Sequence, residues 1–367
     1  MHLHLVSFDV PYPPDYGGVI DVYNRICTLT AAGIKVHLHC YAYGRSEAPE
    51  LAQVCEEVCY YPRETGWRHQ FGRRPYIVAS RCSQTLLHRL RCDNYPILLE
   101  GLHNCFVLEH LASDRRKIAV RAHNVEHDYY QGLANAEPVA WKRWYYRIEA
   151  RKLRRYEPVL KQASLVMAVT DEDARHFKEL GCKQVVQVTS FHGHASVESI
   201  PGHGDYVLYH GNLSVIENEQ AAIYLLDNIF SSIDIPLVIA GHNPSAALQD
   251  RIAQFPNVRL VADPDNDTMR QLMREAHVNL LVTAQPTGLK LKLLNALYEG
   301  RHCLANSAML SGTPFAETCH VADTPEALRT TLQQLMQQDF SDDDLACRIQ
   351  LLQHTAAASL QWLKYLA

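Results

Sequence analysis

The sequence predicts an α/β protein of two Rossmann-like domains facing each other across a cleft. Three observations carry this. The 367 residues exceed what one ordinary hydrophobic core serves. Short apolar runs alternate with helical stretches, the pattern of parallel sheets covered on both faces. That alternation stops once, in a polar stretch rich in Gly, His and Ser at residues 190–205, and then starts again.

Taken in order, Leu3–Phe8 reads as the first strand, Val19–Ala32 as a helix and Lys35–Tyr41 as the second strand. Ile97–Glu100, Ile118–Ala122, Leu165–Val169 and Val185–Val188 read as further strands. A long basic helix, Trp141–Lys161, lies among them and is interrupted at Pro158. These elements define an N-terminal Rossmann-like domain over residues 1–190, with a linker over 191–205. The second domain, 206–345, opens on the strand Tyr206–His210 and the helix Glu219–Ile229. The strand Leu237–Ala240 ends in Gly241, and Val258–Val261 is another strand. The helix Asp267–Ala276, the strand Val278–Val282, the helix Lys290–Tyr298 and the strand Cys303–Ala305 follow. Residues 346–367 read as a helical segment that crosses back to the first domain. Sheets of this kind bind ligands beyond the carboxyl ends of their strands, so two such units imply a shared cleft.

Composition narrows the class. Hydrophobic residues make up 47% and charged residues 20%, as in globular proteins that stay in solution. The start has no basic segment followed by a long apolar one, so no signal peptide is expected. No apolar run approaches the roughly 20 residues that cross a bilayer. The eleven cysteines are scattered without C-x-x-C. The nearest pair, Cys55 and Cys59, fits neither a zinc knuckle nor a redox motif, and reduced thiols in a cytoplasmic protein are expected. Residues 1–190 carry 25 Lys+Arg against 21 Asp+Glu, whereas residues 191–367 carry 10 against 19. The positive half suggests an anionic contact, either a membrane surface or a phosphate-bearing acceptor. Nothing in it matches a nucleic-acid-binding module.

Four segments carry chemistry. In Thr287-Gly-Leu-Lys-Leu-Lys-Leu-Leu-Asn295-Ala-Leu-Tyr-Glu-Gly300 a glycine opens a helix with Lys290 and Lys292 in its first turn. Lysines oppose the helix dipole there. A diphosphate bound at that end accounts for them, and a solvated surface helix is the alternative. Pro11-Tyr-Pro-Pro-Asp-Tyr-Gly17-Gly18 is a glycine loop ahead of a helix, where a missing Cβ lets backbone approach a ligand. It reads equally as a plain turn. Arg121-Ala-His123-Asn124-Val-Glu126-His-Asp sets six polar or charged side chains directly after an apolar strand. A histidine at a strand end can hydrogen-bond a sugar hydroxyl or handle a proton near pH 7. His210-Gly211-Asn212-Leu-Ser214, running to Asn218, opens the second domain.

Together, in this order and over nearly the whole chain, these segments resemble the family-4-like glycosyltransferases of the GT-B fold. That family carries E-G-x-G-x-P-x-x-E-A-x-A-x-G, and a subgroup reads G-x-K-x-K-x-L-E-A. The match falls on Gly288, Lys290, Lys292, Ala296 and Gly300; Thr287 and Asn295 stand where the family has glutamates. Arg121 to Glu126 is similar to the family's R-x-H-N-x-E segment, and His210 to Asn218 to its G-N-(L/M)-S…N variant. The resemblance implies transfer of a sugar from a nucleotide diphosphosugar, such as a UDP- or GDP-sugar, to a hydroxyl of a glycan or lipid-linked acceptor. It implies retention of configuration, no cofactor and no metal. It places Gly17, Gly18, Gly211, Asn212, Gly288, Lys290 and Lys292 around the donor diphosphate. Asn295 falls near the ribose and Thr287 near the donor sugar, with His123, Asn124 and Arg121 at the catalytic centre. Many relatives clamp the diphosphate with an Arg and a Lys in the second domain's opening; here Lys290 and Lys292 are the candidates for that task. The residues at 287 and 295 keep open a non-catalytic relative that binds a nucleotide sugar or a partner transferase. A nucleotide-sugar epimerase on the same fold is the other alternative.

Other features read as bland. Asp263-Pro264-Asp265 matches the metal-binding D-x-D but sits where turn chemistry is expected. His192, His194 and His203 in the linker, and His2, His4, His37 and His39 on strands, read as polar residues without a metal. On the basic helix, Trp141, Trp144, Tyr145 and Ile148 recur at i, i+3, i+4 and i+7. That face either lies on anionic lipid, placing the protein peripherally at the inner face of the cell membrane, or packs against the domain's own sheet.

Overall fold

The computed structural model describes residues 1–112, 116–284, 291–358 and 360–366. The chain forms two compact units. The first takes residues 1–193 and the chain's last residues, from Ala357 on; the second takes the described residues between His194 and Ala356.

The first unit is built on seven strands: β1 His2–Ser7, β2 Lys35–Ala42, β3 Glu57–Pro62, β4 Ile97–Glu100, β5 Ile118–Ala122, β6 Leu165–Ala168 and β7 Val185–Gln187. All pair in parallel, in the order β3-β2-β1-β4-β5-β6-β7. Central strands such as Ile-Leu-Leu-Glu and Leu-Val-Met-Ala are buried along their whole length, because helices cover both faces of the sheet. On one face Ile26 and Leu29, from the helix Gly17–Ala31, pack with Leu3, Leu5 and Leu38. On the other, Leu86, Leu87, Phe106 and Phe177 pack with Val6, Leu99 and Val120. Each such side chain contributes roughly 1.5–3 kcal/mol by leaving water. The chain's end belongs to this core, since Trp362 and Leu366 are buried among Leu3, Val22 and Met167.

The second unit has six parallel strands: β8 Val207–His210, β9 Leu237–Gly241, β10 Val258–Ala262, β11 Val278–Leu281, β12 His302–Ala305 and β13 His320–Val321. Their order is β10-β9-β8-β11-β12-β13. Tyr209, Ile239, Leu280 and Leu304 meet Leu225, Leu328 and Leu332 in its core. In both units the chain grows outward on one side of its first strand and then jumps to the other side. The reversal points, between β1 and β4 and between β8 and β11, are where sheets of this type open a crevice.

Several elements lie outside the sequence expectations. β3 is an edge strand with only Tyr61 buried, and its short run Val58–Tyr61 is closed off by Glu57 and Pro62. β13 is two residues long, and the helices Glu126–Ala136 and Pro325–Leu335 are too polar to stand out. The basic helix spans Ala140–Tyr156 and passes into a tighter turn, Glu157–Gln162, with Pro158 at its second position, where a missing N–H costs nothing. Its packing corrects one of the two expectations for the aromatic face. Trp141 and Trp144 are 68% and 66% exposed, while Glu149, Ala150 and Leu153 face inward. The helix pairs with Glu126–Ala136, where Tyr146 meets Tyr130, and so does not lay its tryptophans on the sheet.

Candidate active site

In the first unit, five charged or titratable side chains gather at the carboxyl ends of β4 and β5, beside the reversal point. Asp21 and Arg25 stand one turn apart on the helix Gly17–Ala31 and are fully buried. Arg25 donates to Asp21 through one guanidinium nitrogen and to Glu100, at the end of β4, through another. Strand register sets Glu100 beside Arg121. The Arg121 guanidinium, also fully buried, donates to the carbonyls of Val188 and Thr189 and lies 3.5 Å from Asp21. His123 follows β5; its Nε2 is 3.1 Å from Glu100 and its Nδ1 3.8 Å from Asp21. Asp21 also accepts from the Phe191 N–H at 2.7 Å.

The electrostatics balance. Two carboxylates face two guanidiniums, and His123 completes the group. Burial alone would raise the Asp21 carboxyl; Arg25, Arg121 and His123, with the Phe191 N–H, outweigh it and hold it at about 2. The Phe8 ring, just beyond β1, stands edge-on to His123 and tilted over His103. His103 is held neutral by burial, with Arg81 and His123 nearby. Gly18 opens the neighbouring helix close to Phe8: a Cβ there would fall 2.8 Å from the ring. Gly17 and Gly18 thus form a helix start with no capping side chain and no acidic residue in its first turn, a place suited to an anion. Asn124 is half-buried beside His123. Glu126 is buried at the start of the next helix, and burial, with Asp173 and Glu157 near, pushes its carboxyl up to about 7.

In the second unit the counterpart is the end of β8. Gly211 donates to the Ala240 carbonyl, and β8 and β9 approach so closely that a Cβ on Gly241 would lie 1.8 Å from the Gly211 carbonyl oxygen. Lys292, from the helix Leu291–Glu299, reaches over this turn. It donates to Asn218, sits 5.6 Å above the Tyr209 ring, and would be 2.8 Å from a Cβ on Gly211. Burial and the Lys292 charge pull the neighbouring His210 down to about 3. Asn212 closes an Asx turn onto Ser214, and its carbonyl accepts from Asn218. Asn295 and Glu299 share a helix face with Lys292. His194 Nε2 is 2.9 Å from the Asn295 amide oxygen, and His194 stacks on Tyr298 and faces Glu299 at 3.3 Å. Thr287, Gly288 and Lys290 lie outside the described residues. A cavity of about 320 Å³ opens beside this site, lined by Glu217, Tyr224, Thr283, Asn306 and Asp323.

The structure therefore gathers Arg121 with His123, and Gly211 with Asn212 and Lys292. It adds Asp21, Arg25 and Glu100, which the motif reading missed. A signal for them exists in the sequence: Asp21 and Arg25 are the charged residues of an otherwise uncharged helix, four apart, and Glu100 ends an apolar strand. Asp265 of the D-x-D segment caps the helix Asn266–Glu275, accepting from Thr268 N–H, and Asp263 accepts from Asn243 N–H; both carboxylates serve turns.

No family model matches the chain. It is 25% identical over 328 residues, 84% of each chain, to an uncharacterized 44.6 kDa protein in the cps region of Klebsiella pneumoniae. Among solved structures it is similar to TarM, with a TM-score of 0.69 at 9% identity over 100% of this chain and 98% of that one. WaaG, a glycosyltransferase involved in lipopolysaccharide biosynthesis, gives 0.60 at 14% identity, covering 98% and 95%. A glycosyltransferase from Rickettsia africae gives 0.60 at 12% identity, covering 100% and 95%. At these identities the likeness establishes the fold: two parallel-sheet Rossmann-like domains of the GT-B kind.

Proposed function

We propose that this GT-B chain is a glycosyltransferase that moves a sugar from a nucleotide diphosphosugar, such as a UDP- or GDP-sugar, to a hydroxyl of a glycan or lipid-linked acceptor. Retention of configuration and catalysis without a metal belong to the same reading. The observation that supports it most is Lys292, poised over the β8 end where Gly211 and Gly241 clear the backbone. When the anomeric C–O bond breaks, charge develops on the leaving diphosphate, and a fixed cation with nearby main-chain N–H groups stabilises it. Lys290 and Gly288 are assigned the same task, Asn295 the ribose and Thr287 the donor sugar. Asn212 shapes the turn beside the diphosphate.

The first unit is assigned the acceptor side of the chemistry. His123, fixed by Glu100, is the group able to hold a sugar hydroxyl or manage its proton, with Asn124 beside it. Arg121 is enclosed by carbonyls and Asp21, and acts as a positioning residue for them. Gly17 and Gly18 offer main-chain N–H groups to a phosphate. Trp141 and Trp144, exposed next to Lys142, Arg143 and Arg147, suit an anionic leaflet, and the reading places the protein there on the cytoplasmic face. Among the described residues no helix is long and apolar enough to cross a membrane.

The test is incubation of the purified chain with UDP-, GDP- and ADP-sugars and hydroxyl acceptors, with products identified by mass spectrometry and NMR. A new glycosidic bond of retained configuration is expected with one donor. Tight donor binding without transfer or hydrolysis would support the non-catalytic alternative instead. An epimerised free sugar would support the epimerase.

A further inference from the structure

Three side chains from three separate elements meet at a corner of the first unit that the proposed chemistry does not use. His127 lies in the first turn of the helix Glu126–Ala136, Glu157 opens the turn Glu157–Gln162, and His176 sits on the helix Asp171–Leu180. Glu157 bridges the two imidazoles. One carboxylate oxygen is 3.3 Å from His127 Nδ1 and the other is 2.8 Å from His176 Nε2. One donor atom from each residue lies within 4.8 Å of the other two.

We propose that His127, Glu157 and His176 bind a divalent transition cation of the zinc class. Two imidazole nitrogens and one carboxylate oxygen are a donor set that zinc accepts. Tetrahedral bonds of about 2.0–2.1 Å put neighbouring donors roughly 3.3–3.4 Å apart. His127 Nδ1 already stands at that spacing from one Glu157 oxygen; the 2.8 Å of His176 Nε2 is to the other oxygen, so the His176 imidazole or the carboxylate has to shift for the three donors to share one ion. The His176 side chain is 32% exposed against 4% for Glu157, so water can reach a fourth position.

Two further observations point to a cation. Glu126, Glu157 and Asp173 are all buried in this corner, and among the described residues no Lys or Arg forms an ion pair with any of them. A buried carboxylate requires a counter-charge, and among the described residues the ion-pair partners of Glu157 are His127 and His176. In addition, His127 Nε2 faces Asp128 at 3.4 Å. A carboxylate behind the imidazole is the arrangement that orients a metal-ligating histidine and fixes its tautomer. The bound cation ties together elements far apart in sequence. It pins the helix that begins three residues after His123.

The probe is Zn²⁺ alone. The chelator-stripped full chain is titrated with ZnCl₂ by calorimetry, metal content is measured after dialysis, and Co²⁺ substitution reports coordination by its visible spectrum. One equivalent is expected to bind with a rise in Tm. H127A and H176A each weaken binding at least ten-fold, D128N weakens it less, and H203A, at a surface histidine, leaves it unchanged. Far-UV circular dichroism of the stripped variants confirms that they fold, and H127Q and H176Q serve where alanine does not. No binding, or unchanged binding in the H127A/H176A double variant, overturns the site. These readouts do not depend on sugar transfer, so they stand apart from the test of the proposed activity.

Discussion

Gly241 and Gly211 share one crowded turn of the second unit, yet substitution of each has a different expected outcome. A methyl on Gly241 meets the Gly211 carbonyl oxygen at 1.8 Å, a backbone atom that cannot move without separating β8 from β9. G241A is expected to cost more than about 3 kcal/mol, read as a lower urea midpoint for this unit. A methyl on Gly211 meets instead the tip of Lys292, a flexible side chain, at 2.8 Å. G211A is expected to keep its stability within about 1 kcal/mol and to weaken nucleoside-diphosphate binding by displacing the ammonium. If the two variants lose stability alike, Lys292 is not the group that occupies that space. The Asp21–Arg25–Glu100 group makes a related point about legibility. Its charged residues stand out in apolar surroundings, but only the parallel pairing of β1, β4 and β5 brings the helix residues onto Glu100 and His123. Spacing along the chain does not encode that meeting.

At the scale of elements, central strands were legible because burial on both faces leaves an unbroken apolar run, as in Ile97–Glu100 and Leu165–Ala168. Edge elements were not. β3 has one buried residue and β13 has two exposed ones, so neither is the fully buried apolar run of a central strand. The basic helix shows the limit of periodicity more sharply. A 3–4 spacing identifies Trp141, Trp144, Tyr145 and Ile148 as one stripe, but the stripe that faces inward is Glu149, Ala150 and Leu153. Two exposed tryptophans lie amid Lys142, Arg143 and Arg147, and the proposed membrane contact is placed there. Sedimentation with vesicles containing anionic lipid is expected to retain the chain, with binding reduced several-fold in W141A/W144A and at raised salt. Equal partition onto neutral vesicles would contradict the electrostatic half of this reading.

For the whole molecule, buried histidines set the response to acid. Burial, with His4 and Arg89 nearby, lowers His39 in the first unit to about 3; burial and Lys292 lower His210 in the second to about 3. In the unfolded chain both take up a proton near the ordinary value of about 6.5. Between these values the unfolded state binds more protons, so stability falls as pH drops below about 6.5. Each group accounts for about 1.4 kcal/mol per pH unit near pH 5. Asp21 acts only lower down, since its depressed carboxyl contributes stability above about 3.8 and loses it toward about 2. Urea midpoints at pH 7, 6 and 5 are expected to decline for both units, and H39N to flatten the decline of the first alone. The two Rossmann-like domains were read from alternation, one polar break and a restart, and the GT-B kind from the resemblance of the four segments. The roles of the residues in its two sites rest on chemistry that binding must test. The most direct measurement is calorimetric titration of UDP and GDP into the chain and into K292A. One nucleotide is expected to bind the unmodified chain, and K292A to weaken it at least ten-fold with folding intact; binding of neither nucleotide, or equal affinity in K292A, would contradict a donor site at Lys292.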